Sequence, residues 1–107
     1  MPDSIRMTLP TALILGAISS GARYGFDIMD QTGLPSGTVY PALRRLETAG
    51  LLDARWEPAR EAEAASRPRR RLYQLTGLGA KQLPAARAKL ESLPRLVGGV
   101  IPRPASG

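Results

Sequence analysis

The chain has 107 residues and contains neither cysteine nor histidine. Without cysteine there is no disulfide framework, no thiolate nucleophile and no sulfur-ligated metal. Without histidine, the usual general base and the commonest metal ligand are also missing. No pair of acids has the spacing of a metal or acid–base site. An enzyme is therefore not expected, nor a metal or cofactor. Aromatic residues are scarce: one Trp, one Phe and three Tyr. No run of about eighteen apolar residues occurs, so no membrane partner is expected. The start lacks a multi-basic segment and an Ala-x-Ala pattern, so a secretory signal is not expected either. These absences fit a cytoplasmic protein.

What is present is positive charge, and it is one-sided. The net charge is +6. Residues 1–50 carry four acids and four basic groups, whereas residues 51–107 carry five acids and eleven basic groups. A one-sided basic surface attracts polyanions, nucleic acid first among them.

The apolar spacing predicts helix, helix, helix, strand, strand, helix. Thr8 to Ser19 is a first helix, with Thr8 as cap and Pro10 in the first turn. It is apolar nearly all round, so two of its sides need covering, and a second copy of the chain is the expected cover. Tyr24 to Gln31 is a short second helix stopped by Gly33. The third runs from about Ser36 to Ala49, with Val39, Leu43 and Leu46 inward and Gly50 as its stop. Leu51 to Glu57 is a strand, with Leu52, Ala54 and Trp56 on one face and Asp53, Arg55 and Glu57 on the other. Pro58 to Pro68 is a polar, alanine-rich connection, and Arg69 to Leu75 is the returning strand. Thr76 caps a last helix over about 77–93, which Pro84 should kink or split. Residues 94–107 are expected to be a flexible tail.

Two constellations carry chemistry. On the third helix, Ser36, Thr38, Tyr40, Pro41, Arg44 and Arg45 lie on or beside the open face. A helix of this size fits the major groove. Its N-terminus suits a phosphate, as does the Tyr40 hydroxyl, and Arg44 and Arg45 can reach guanine edges. On the returning strand, Arg67, Arg69, Arg70 and Arg71 suit phosphates and a narrow minor groove. The bland alternatives are a solvated helix face and an edge strand guarded by charge. Tyr24, Phe26, Trp56 and Tyr73 are read as core aromatics. Gly77-Leu78-Gly79 lacks the third glycine of a dinucleotide-binding loop and reads as a tight start to the last helix.

Gly37-Thr38-Val39-Tyr40-Pro41-Ala42-Leu43-Arg44-Arg45-Leu46-Glu47 and Arg69-Arg70-Arg71-Leu72-Tyr73-Gln74-Leu75-Thr76 are specific in that order. With Tyr24-Gly25-Phe26-Asp27-Ile28 and Gly50-Leu51-Leu52 they resemble the PadR-type transcriptional regulators over about residues 9–83. The resemblance implies an α+β winged helix-turn-helix over 1–76 and a dimerisation helix over 77–93. It implies a homodimer on a palindromic double-stranded DNA operator, with repression relieved by a small-molecule effector. Carried over by position, Thr38, Tyr40, Pro41, Arg44 and Arg45 are recognition residues, and Arg69, Arg70 and Arg71 are wing residues. Leu9, Leu13, Leu83, Leu90 and Leu93 are the expected dimer contacts. The chain departs from the family at Phe26, where tyrosine is frequent, and in a last helix without aromatics. The main alternative is a winged-helix protein-interaction module without specific DNA binding.

Overall fold

The structure, a computed structural model, describes residues 6–93; the tail expected over 94–107 lies outside the described residues. Helix α1 spans Leu9–Ser19, and the Thr8 hydroxyl accepts from the Thr11 N–H at 3.3 Å. Helix α2 spans Gly25–Thr32 and α3 spans Ser36–Thr48. Gly33 ends α2 at φ 75, its N–H donating to the Met29 carbonyl at 2.8 Å. Gly50 follows α3 at φ 82, and the Leu51 N–H then reaches back to Leu46 O at 2.9 Å. Both glycines hold left-handed backbone that a side chain would strain.

The three helices bury one set of apolar side chains. Ile14 and Leu15 of α1, Ile28 of α2, and Val39, Leu43 and Leu46 of α3 are all buried. The four-and-three spacing read along α3 thus faces the core, with Ala42 added.

Strands β1 (Leu52–Trp56) and β2 (Arg71–Leu75) form an antiparallel ribbon in which Leu52 pairs with Leu75 and Trp56 with Arg71. Tyr24 adds a single bridge to Leu72, and the Tyr73 N–H donates to Arg23 O at 2.8 Å. The start of α2 is therefore stitched to the ribbon. Both strands are shorter than the alternation suggested. Arg69 and Arg70 precede β2, although the Glu57 N–H still reaches Arg70 O at 2.7 Å.

The polar, alanine-rich connection between the strands contains a short helix, α4 (Ala59–Ala64). Its alanine-rich run starts after Pro58, and Ala62 is buried. The last helix is split: α5 spans Gly77–Lys81 and α6 spans Leu83–Glu91, with Pro84 in the first turn of α6. A proline there gives up only an N–H that has no intrahelical partner. Thr76 caps α5 by accepting from the Gly79 N–H at 3.0 Å. Helix α6 lies along α1, so part of the second side of α1 is covered by the chain's own C-terminal helix. Three helices, a two-stranded wing and appended C-terminal helices make this an α+β winged helix-turn-helix.

Candidate nucleic-acid interface

Helix α3 turns an open strip outward because its buried residues occupy the opposite side. Ser36, Tyr40, Pro41, Arg44 and Arg45 are exposed, and Thr38 is half-buried beside them. Among the described residues Arg44 and Arg45 have no ion-pair partner. Their charge is available to an external anion. Pro41 lies inside α3, so the Gly37 carbonyl lacks its usual partner there. Tyr40 is 40% exposed. Its ring rests on Gly25, where a Cβ would collide with the hydroxyl end of the ring. The glycine at the start of α2 thus gives the tyrosine its seat.

The wing arginines are held more tightly than free cations would be. Glu57 follows the last residue of β1 and is only 1% exposed. Strand alternation places it on the face of Asp53 and Arg55, yet those two are exposed and Glu57 is not. Arg67 clasps its carboxylate at two points, Nη1 to Oε1 and Nη2 to Oε2, the second at 2.8 Å. The Arg70 N–H donates to Oε1 at 3.3 Å, and Arg70 Nη2 to Oε2 at 3.4 Å. Arg69 Nε donates to the Glu57 backbone carbonyl at 2.8 Å. The hydrogen bond from Arg67 holds the Glu57 carboxyl down to about 2, against the opposing effect of burial. The same bond raises Arg67. A buried carboxylate needs such donors to remain ionised.

The next arginine belongs to another pair. Arg71 Nη2 donates to Glu47 Oε2 of α3 at 3.1 Å, and its guanidinium lies 5.3 Å from the Trp56 ring centroid. The Arg70 guanidinium stacks on Tyr24 at 3.5 Å. Both stacks have cation–π geometry. Arg70 Nε is buried without a partner among the described residues. Burial lifts the Tyr73 phenol above its ordinary value.

Of the four aromatics read as core, Tyr73 is buried and Tyr24 half-buried, but Phe26 is 70% and Trp56 54% exposed. Phe26 lies on the solvent side of α2, and Trp56 is the last residue of β1. A notch of about 240 Å³ opens between the start of α2, α3 and the wing; Tyr24, Phe26, Tyr40, Arg69, Arg70 and Arg71 line it. The fold thus brings Tyr40 and the three wing arginines to one place, while Arg44 and Arg45 continue along α3. Sequence reasoning missed Glu57 and the anchoring role of Arg67. The signal was an acid at the end of one strand opposite an arginine-rich approach to the other.

The dimer candidates lie on other elements. Leu9 and Leu13 on α1, Leu83 and Leu90 on α6, and Leu93 beyond it are all half-buried. Leu83 and Leu90 already pack on the chain's own core.

A sequence profile of the Transcriptional regulator PadR-like family matches residues 14–85. No curated protein matches the chain. Among solved structures, a PadR family transcription regulator from Clostridium difficile R20291 is 23% identical, with TM-score 0.67, over 86% of this chain and 97% of that one. A PadR-like transcription factor from Bacteroides fragilis is 27% identical, with TM-score 0.61, over 85% and 88%. A padr family transcriptional regulator from Eggerthella lenta is also 27% identical, with TM-score 0.61, over 84% and 79%.

Proposed function

The chain belongs to the PadR-like family of transcriptional regulators, and from that premise we propose that it is a repressor that binds a palindromic operator as a homodimer. Helix α3 enters the major groove. Ser36, Thr38, Tyr40, Pro41, Arg44 and Arg45 meet bases and backbone, and Arg69, Arg70 and Arg71 hold the flanking strand. Residues 1–76 form the DNA-binding unit and residues 77–93 the dimerisation segment. The two-fold axis brings Leu9, Leu13, Leu83, Leu90 and Leu93 of each copy together. It sets two copies of α3 roughly 34 Å apart, one turn of duplex. The protein acts in the cytoplasm, and a small-molecule effector releases it from DNA.

One observation carries this reading. Arg44 and Arg45 stand exposed, and unpaired among the described residues, on the helix beside the wing, while other arginines nearby are paired to acids. Selection from a random duplex library tests it, and a palindrome should emerge. On that site, Arg44→Ala or Arg45→Ala should cost roughly 1–3 kcal/mol and relax preference at one symmetric pair of positions. Tyr40→Phe should weaken cognate and scrambled duplexes alike. If neither arginine variant changes the ratio of cognate to scrambled affinity, α3 does not read sequence through them. A library that returns no enriched sequence favours a protein-interaction module instead.

A further inference from the structure

Glu57 is buried, yet three of the four wing arginines are tied to it. Its carboxylate takes Arg67 and Arg70, and its backbone carbonyl takes Arg69 Nε. A guanidinium has five N–H donors. Among the described residues only one donor of Arg69 is used, so its exposed edge is left for an acceptor. Arg70 is held from behind by Glu57 and from the side by the Tyr24 ring. Across the notch stands the half-exposed Tyr40. At its edge is the first turn of α2, where the Asp27 carboxylate already accepts from the Arg23 and Tyr24 N–H groups, so the donors left for a ligand are those of the arginines and Tyr40.

This is a converging set of donors around a space between recognition helix and wing. A tetrahedral oxyanion carrying one negative charge satisfies it. The two elements that flank the notch are those that straddle one strand of a duplex when α3 occupies a major groove. That position makes the anion a phosphodiester.

We propose that the notch seats one backbone phosphodiester of the bound duplex, and that Glu57 is the positioning residue that sets its arginines. The proposal rests on the DNA-binding reading above. It makes an expectation opposite in sign to simple charge. Glu57→Gln removes a negative charge and raises the net charge of +6 by one. Long-range electrostatics alone would then tighten binding to DNA. With the arginines unset, binding instead weakens by roughly tenfold, the size of one lost charge-assisted hydrogen bond. The log–log salt dependence also flattens by about 0.9, the mark of one lost phosphate contact.

Fluorescence anisotropy with the full chain and a random-sequence duplex across a salt series reads both quantities, with circular dichroism on the same samples to establish folding. Binding that tightens or stays unchanged in folded Glu57→Gln overturns the proposal. A methylphosphonate scan of the selected duplex supplies the second arm, with Arg69→Gln as a variant whose exposed side chain lies outside the core. One neutralised phosphate per half-site should weaken the wild type yet leave Arg69→Gln indifferent. If wild type and Arg69→Gln respond alike at every position, no phosphate sits in the notch. Failure of the DNA-binding reading would look different, since the selection would then return no enriched duplex.

Discussion

Glu57 carries an ionised carboxylate with almost no exposed surface, and two guanidiniums keep it charged. Its pKa in the folded chain lies near 2, below the ordinary value of 4.5. A depressed carboxylate pKa contributes stability that is fully present above the unfolded value and is lost as pH falls through the folded one. The loss therefore falls between about pH 4.5 and pH 2. Trp56 is the chain's one tryptophan and the residue before Glu57, so its fluorescence reports the wing. Acid titration of the wild type should show a loss of wing structure in that window. Glu57→Gln, which has no such proton to take up, should show a smaller dependence there. Identical acid profiles would mean that the carboxylate contributes nothing to holding the wing.

The elements are joined by close backbone approaches, and the tightest is at α5. Gly79 is buried, and a Cβ there would be driven into the Leu51 carbonyl oxygen, with the carbonyl carbon at 3.1 Å. Thr76 closes the same corner, its hydroxyl donating to Gly50 O at 2.6 Å and its N–H to Leu51 O at 3.1 Å. The exit from α3, the end of β2 and the start of α5 thus share one junction, and backbone cannot yield as a flexible side chain can. Gly79→Ala should destabilise by about 1–3 kcal/mol, the range for overpacking. At Gly77 a Cβ would meet nothing within 4 Å, so Gly77→Ala should leave stability unchanged or raise it by up to about 1 kcal/mol. Thermal unfolding of the two variants checks the contrast. A tolerant Gly79 would show that the junction can shift.

For the molecule as a whole, the recognition surface and the proposed dimer surface are built from different elements. Packing of α6 on α1 hides part of the apolar surface that the sequence assigned to a second copy. Leu9, Leu13, Leu83, Leu90 and Leu93 keep exposed surface after that packing, and Leu78 is 55% exposed. Exposed apolar side chains of this kind are what a second copy would cover. Sedimentation at micromolar concentration should give a dimer, and Leu13→Glu should shift it towards monomer while leaving α3 intact. A wild type that sediments as a monomer would remove both the two-fold axis and the palindrome that depends on it.

The sequence by itself determined the order of the first three helices and the two strands, the buried stripe of α3 and the caps at Thr8 and Thr76, but not the helix α4 between the strands. These depend on neighbours three or four residues away, whose geometry a helix dictates. It also marked Arg44 and Arg45 as outward, because Leu43 and Leu46 must face in. Only the tertiary structure decided what becomes of Glu57, Phe26, Trp56 and the far side of α1. Strand alternation holds only within a strand, and Glu57 lies one residue past the end of β1. Its burial is set by Arg67, ten residues on across α4, and by Arg70 on the returning chain. The exposure of Phe26 and Trp56 depends on which segments pack against them, and the cover on α1 on the docking of α6 against it. Those are contacts between segments distant in the chain, and no local periodicity encodes them.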